Sequence, residues 1–191
     1  MSSTIGHGLF GATLLMAARS FVPAASWLRR PLWLVLFVAA ANLPDVDLLV
    51  GMAFGHFGRF HGGPTHSLLF ASAAVLAAAV VTPAPYRLAL PWLAIAIFSH
   101  LLIDLLSGAV IGWHQSYGTR LLWPFDDDRI RAPFSLFLGV ENSTGGNLLT
   151  SHNVFVVCVE VISFLPLLLG FSWLARSRGA QVPAGKAAGH E

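Results

Sequence analysis

Long apolar runs separated by short polar segments dominate the chain. Five of them, at 5–22, 31–54, 68–82, 88–111 and 154–175, approach the length of about 20 residues that a helix needs to cross a bilayer. Proline interrupts the second run at Pro44, the fourth at Pro91 and the fifth at Pro166, which membrane helices tolerate where neighbours re-satisfy the backbone. The pattern predicts an all-α fold: a polytopic integral membrane helical bundle of about five transmembrane helices, forming a single domain over 1–175. The Gly-, Ala- and Pro-rich segment 176–191 reads as a disordered cytoplasmic tail. The first run lacks a basic leader and a clear small-residue cleavage site, so it reads as a retained helix rather than a signal peptide. Alanine-rich stretches around Ala73 and Ala77 suit close helix packing.

Composition sharpens this. Apolar residues make up 55% of the 191 and charged residues 10%, whereas a soluble domain carries about 25% charge. Mean hydropathy is +0.70. An ordinary soluble domain, a disordered chain and a nucleic-acid binder with a basic face are excluded. The net charge is only +2, so the high isoelectric point of 9.2 reports scattered bases and no nucleic-acid partner is expected. One cysteine, Cys158, excludes a disulfide framework and a thiolate metal cluster. Lys and Arg are biased between the loop sets. Arg19, Arg29, Arg30, Arg87, Arg176, Arg178 and Lys186 fall on one side; Arg59, Arg120, Arg129 and Arg131 fall on the other. The bias predicts an outward N-terminus and a cytoplasmic C-terminus, in a bacterial inner membrane.

Ionisable groups inside spans are expensive and mark function by default. When successive spans alternate in direction, His7, Asp45, Asp47, His66, His100, Asp104 and His152 all reach the same, outer, end. His100 and Asp104 are i,i+4 and share one helix face. Asp45 and Asp47 are i,i+2 and point apart on an ideal helix, so both serve one site only if Pro44 distorts the turn. Neutral imidazole with carboxylate is the ligand set of Zn²⁺, with Mn²⁺ or Fe²⁺ as alternatives. One or two ions with an open coordination position would activate water as a nucleophile.

The loop before the third run reads HFGRFHGGPTHS. Its tight Gly-Gly-Pro turn delivers Thr65, His66 and Ser67 to a helix start, where free N–H groups favour an anion; Thr65 or Ser67 either caps that helix or contacts substrate. In the long outer loop, Trp113, Tyr117, Trp123 and Phe125 suit a membrane interface. Arg120 stands among them, to bind a phosphate oxygen or to pair with Asp126, Asp127 or Asp128. His56, His114 and His190 read as solvent or headgroup residues. The sequence does not place His61 relative to the site. Glu160 reads as a non-catalytic buried acid, protonated or hydrogen-bonded within the bundle.

The series GHGLFG with His7, LPDVD with Asp45 and Asp47, HGGPTHS with His61 and His66, SHLLID with His100 and Asp104, and YGTRLLWPF resembles the YdjM-type, LexA-regulated family of inner-membrane metal-dependent hydrolases. The likeness covers about residues 5–125, in order; the family's HRGxTHS has a basic residue where Gly62 stands here. The ligand order is also similar to that of zinc-dependent phospholipase C and related all-helical nucleases. That similarity implies two metals held by His7, Asp45 or Asp47, His66, His100 and Asp104, with Asp104 bridging.

The expected function is a membrane-bound hydrolase cleaving a phosphoester in a lipid or lipid-linked substrate. Asp45 or Asp47 orients water, and Thr65 and Arg120 contact phosphate. Two alternatives stand beside it: a non-catalytic metal-binding stress or scaffold protein, and a metal or ion transporter. The acids beside the histidines argue against a haem protein, and the absence of HExxH excludes a protease of that type.

Overall fold

A computed structural model describes residues 1–22, 25–55, 60–141 and 149–180. His56, Arg59, Lys186 and His190 lie outside the described residues. The described residues form six α-helices: α1 (Thr4–Phe21), α2 (Pro31–Ala41), α3 (Val46–Ala53), α4 (Leu68–Val81), α5 (Leu90–Leu105) and α6 (Ser151–Ala180). Two helical stretches, Ala84–Leu105 and Ser151–Gly179, are long and apolar enough to cross a membrane. A third crossing is added if α2 and α3 form one broken span.

Local sequence sets the ends. The Ser3 hydroxyl caps α1 by accepting from the Gly6 amide at 3.0 Å, and Pro31 opens α2, where its missing N–H costs nothing. The second apolar run is broken. Asn42 ends α2, a 3-10 turn carries Leu43–Asp45, and α3 leaves at 67° to α2. Pro44, which has no N–H to continue the ladder, lies within that turn. The other two prolines do not break their helices. Pro91 occupies the first turn of α5, after a 3-10 segment at Ala84–Ala89, and Pro166 lies inside the continuous α6.

Two boundaries differ from the apolar runs. α5 stops at Leu105, six residues before the run ends; beyond it, Ser107–Gly108 (β1) pairs in parallel with Phe137–Leu138 (β2). α6 continues through Arg176 to Ala180, so that part of the expected tail is helical; residues 181–191 lie outside the described residues.

α1 packs along α6 and α2, and α5 lies against α1, α2 and α4. Leu15, Ala18, Leu28, Trp33, Phe37, Ala41 and Ala96 form the main core. Between helices in lipid, close packing of small residues replaces the hydrophobic drive. Gly11 marks the close approach of α1 to α2: a Cβ there would lie 2.6 Å from the Phe37 carbonyl oxygen and 2.9 Å from Ala41 Cβ. The packed alanine of α4 is Ala71, whereas Ala73 and Ala77 are exposed. Leu76, Val80, Val81, Ile162 and Trp173 are also exposed, an apolar exterior suited to lipid.

Directions alternate as the apolar runs predict. Ser3 meets Glu160 while Ser20 meets Phe171, so α1 and α6 run in parallel. His7, near the start of α1, meets Asp104, near the end of α5, so these two are antiparallel. The start of α1, the α2–α3 bend, the start of α4 and the end of α5 are thereby gathered at one end.

Candidate metal centre

Six predicted residues converge at that end: His7, Asp45, Asp47, His66, His100 and Asp104. All are buried, with His66 and His100 at zero exposure. The 67° bend brings Asp45 and Asp47 into one cluster despite their i,i+2 spacing.

The orientation of the rings follows from their outer nitrogens. His100 Nδ1 lies 2.8 Å from the Ala41 carbonyl oxygen, which only accepts, so this nitrogen carries the hydrogen. The Thr65 hydroxyl donates to Asp47 Oδ2 at 2.8 Å. It therefore presents a lone pair to His66 Nδ1, 3.1 Å away, which also lies 3.2 Å from Asp47 Oδ2. His66 Nδ1 is likewise the protonated nitrogen, assigned from this network. Both Nε2 lone pairs then face inward, 3.2 Å apart. Asp45 Oδ1 lies 3.5 Å from His66 Nε2 and 3.4 Å from His100 Nε2. Asp104 Oδ2 lies 3.5 Å from both.

Four electron-pair donors thus converge with no hydrogen between them. Asp104 Oδ2 and both nitrogens of His7 are buried without hydrogen-bond partners; a buried unsatisfied polar atom costs about 1–3 kcal/mol. His7 stacks on His100 at 3.7 Å between centroids, with Nε2 3.3 Å from Asp104 Oδ1. Such an arrangement could hold a metal ion, or protons on the imidazoles in its place. Burial pushes the His66 imidazole down, but Asp45 and Asp47 outweigh it and hold it above the ordinary 6.5. Three overlapping trios have donor atoms close enough to hold an ion: His7, His100 and Asp104; Asp45, His66 and His100; and Asp47, His61 and His66. The outer hydrogen bonds of His66 and His100 are of the kind that orient metal-ligating histidines.

The sequence left His61 unplaced. Its Nδ1 lies 3.0 Å from Asp47 Oδ1 and 3.7 Å from Asp45 Oδ1, within the HGGPTHS loop that already supplies His66. Asp47 also accepts from the Gly62 amide at 3.2 Å. It is a hub between the loop and His66.

The residues expected to contact phosphate have partners within the protein. The hydroxyl of Thr65 is engaged with Asp47, and Ser67 caps α4 by accepting from Phe70 N at 3.1 Å. Arg120 Nη1 lies 3.5 Å from Asp127 Oδ1. The YGTRLL segment instead braces the His66 turn: the Thr119 hydroxyl donates to the His66 carbonyl and Leu68 N donates to Leu121 O. Arg129 comes closer to the loop, with a Cβ at Gly62 meeting its Nη2 at 3.2 Å. Glu160 is buried, and accepts from the Ser3 amide at 2.8 Å and from the hydroxyls of Ser2 and Ser3. The Ser2 amide donates to Asp104 Oδ1 at 2.8 Å, so the N-terminal residues bridge α6 and the cluster. His152 stands apart, with Nε2 3.0 Å from the Gly139 carbonyl oxygen.

A cavity of about 390 Å³ opens beside the cluster. Asp45 and His61 reach it; Ile5, Leu48, Val154 and Val157 give it an apolar wall between α1, α3 and α6.

Compared with curated proteins and with solved structures, the chain matches none. A family model described as YdjM inner membrane protein matches residues 1–179, almost the whole described chain. This protein of apolar helices with buried His/Asp groups able to hold a metal ion therefore belongs to the YdjM inner membrane protein family.

Proposed function

We propose that the protein is a membrane-embedded, metal-dependent phosphoesterase acting on a lipid or lipid-linked substrate. The observation that carries this reading is the convergence of His66 Nε2, His100 Nε2, Asp45 Oδ1 and Asp104 Oδ2 on one buried point. These four, with His7, Asp47 and His61 around them, would hold one or two divalent ions, zinc by donor chemistry. A divalent ion there supplies Lewis acidity, which favours ionisation of water and offsets charge developing on phosphoryl oxygens.

The protein's own groups divide the remaining work. Asp45 borders both the cluster and the cavity, and its carboxylate accepts the proton of the attacking water. Asp47 is occupied by Thr65, Gly62 and His61 and serves to orient the histidines. Arg129, beside Gly62, is the cation we assign to a phosphate. The apolar wall of the cavity suits a hydrocarbon chain, which supports a lipid substrate over a soluble one.

The test is turnover of three probes with added Zn²⁺ or Mn²⁺: a soluble aryl phosphodiester, a glycerophospholipid and an isoprenoid phosphate. Cleavage of a lipid probe, abolished by a chelator, is expected. Bound metal with no turnover on any probe refutes the enzyme and favours a metal-binding scaffold or transporter.

In the same reading α1, the broken α2–α3 pair, α4, α5 and α6 cross the inner membrane five times, with the cluster on the outer face and the C-terminus in the cytoplasm. Trp113 and Phe125 are strongly exposed in the loop at the cluster end. In a Cys158→Ser background, Trp113→Cys and Phe125→Cys should react with an impermeant maleimide on intact spheroplasts. Labelling only after lysis would reverse the orientation.

A further inference from the structure

A second polar site lies at the opposite end of the bundle. Arg19 follows His7 by twelve residues on α1, which places it about 18 Å away along the helix. A cavity of about 320 Å³ there is lined by Met16, Arg19, Arg29, Ser172, Ala175 and Arg176. Its three guanidiniums come from three elements: α1, the 3-10 segment Ser26–Arg29, and α6.

We infer that this cavity binds a phosphate-bearing anion, the phosphate coming from a membrane lipid headgroup or from solution.

Three observations support the assignment. The guanidiniums of Arg19, Arg29 and Arg176 have no carboxylate ion-pair partner among the described residues; the one arginine ion pair there is Arg120 with Asp127. Like charges gathered without a counterion repel, and an anion removes that cost. Arg19 is also held in place by other groups, whereas Arg29 and Arg176 are exposed. Arg19 is half-buried; its Nε donates to the Leu28 carbonyl at 3.0 Å and Nη1 reaches Met16 Sδ at 3.5 Å, leaving Nη2 for an external acceptor. Arg29 lies against α6, where a Cβ at Gly179 would meet its Nη2 at 2.1 Å. The neighbouring Arg178 is already engaged, donating to the Ser20 carbonyl at 3.1 Å and lying over the Phe21 ring. Finally, the volume falls within the range of small-ligand sites, and basic pockets between membrane helices are suited to anionic headgroups. Arginine's planar fork matches phosphate oxygens in pairs.

The experiment is thermal unfolding of the purified chain in detergent at fixed ionic strength, titrated separately with phosphatidylglycerol, phosphatidylcholine and inorganic phosphate. Wild type and the Arg131→Gln control, which removes an exposed charge at the other end, are expected to show a saturable upward shift. Arg19→Gln and Arg176→Gln should each weaken it roughly tenfold in half-saturating concentration. A shift with phosphatidylglycerol alone identifies a lipid headgroup; an equal response to inorganic phosphate identifies the free anion. Equal shifts with phosphatidylcholine and phosphatidylglycerol and none with phosphate, or no saturable shift in wild type, overturn the site without reference to the variants. Equal affinity of wild type and both variants overturns it as well.

Discussion

His100→Ala is expected to dismantle the core of the metal centre. At metal concentrations that saturate the wild type, bound metal should fall by at least half, since only the Asp47, His61 and His66 trio is left whole, and any phosphoesterase turnover should fall by at least about a hundredfold. Loss of a supporting group alone costs about 10–100-fold, and His100 is shared by two of the three trios. The alanine also leaves the Ala41 carbonyl without its donor and His7 without its stacking partner. His100→Gln separates these effects, because its amide can donate to Ala41 without offering an imidazole lone pair. It should recover stability but not metal. His61→Ala should be milder, since the two trios without His61 remain intact. Metal uptake should release protons and tighten as pH rises through and above 6.5, because His66 holds its proton above the ordinary value and must lose it to bind. The readout is elemental analysis together with chelator competition. Wild-type metal content in His100→Ala would remove the basis of the centre.

Gly11→Leu is expected to produce the largest loss of stability. Even the first side-chain carbon at this position would lie 2.6 Å from the Phe37 carbonyl oxygen, a backbone atom that cannot rotate away. Overpacking a well-packed site costs about 1–3 kcal/mol, and forcing two helix backbones apart belongs at or above the top of that range. The damage should reach the cluster, because Ala41, whose Cβ would be 2.9 Å from the new atom, carries the carbonyl that orients His100. Unfolding midpoint in detergent and metal affinity should therefore fall together. Gly170→Ala on α6 is the control: no atom lies within 4 Å of its Cβ position, and alanine is the better helix former by about 1 kcal/mol. An unchanged midpoint in Gly11→Leu would mean that α1 and α2 do not pack as described.

Much of the centre was legible in the chain. The i,i+4 spacing of His100 and Asp104 places them on one face wherever that helix goes, and alternating directions bring His7 and His66 to the same end. The joint use of Asp45 and Asp47 was conditional on Pro44, and the bend at Leu43–Asp45 meets that condition. His61 was not legible, because its approach to Asp47 depends on how the loop folds back. Of the two readings of Arg120, the structure shows the pairing with the acidic run. It pairs with Asp127, and spacing along an irregular loop carries no periodicity from which to read direction. Nor does sequence indicate that Ser2 and Ser3 fasten onto Asp104 and Glu160, more than 100 residues away.

The sequence by itself determined the solvent and the list of candidate ligands. Burial in lipid selects apolar residues along the whole chain, so each retained ionisable group stands out. Tertiary structure decided which donor atoms face one another. Hydrogen bonds act over about 3 Å and metal coordination over about 2 Å, and both depend on angle; that geometry is set by the 67° bend, the Gly11 contact and the Thr65–Asp47 bond, which join segments remote in sequence.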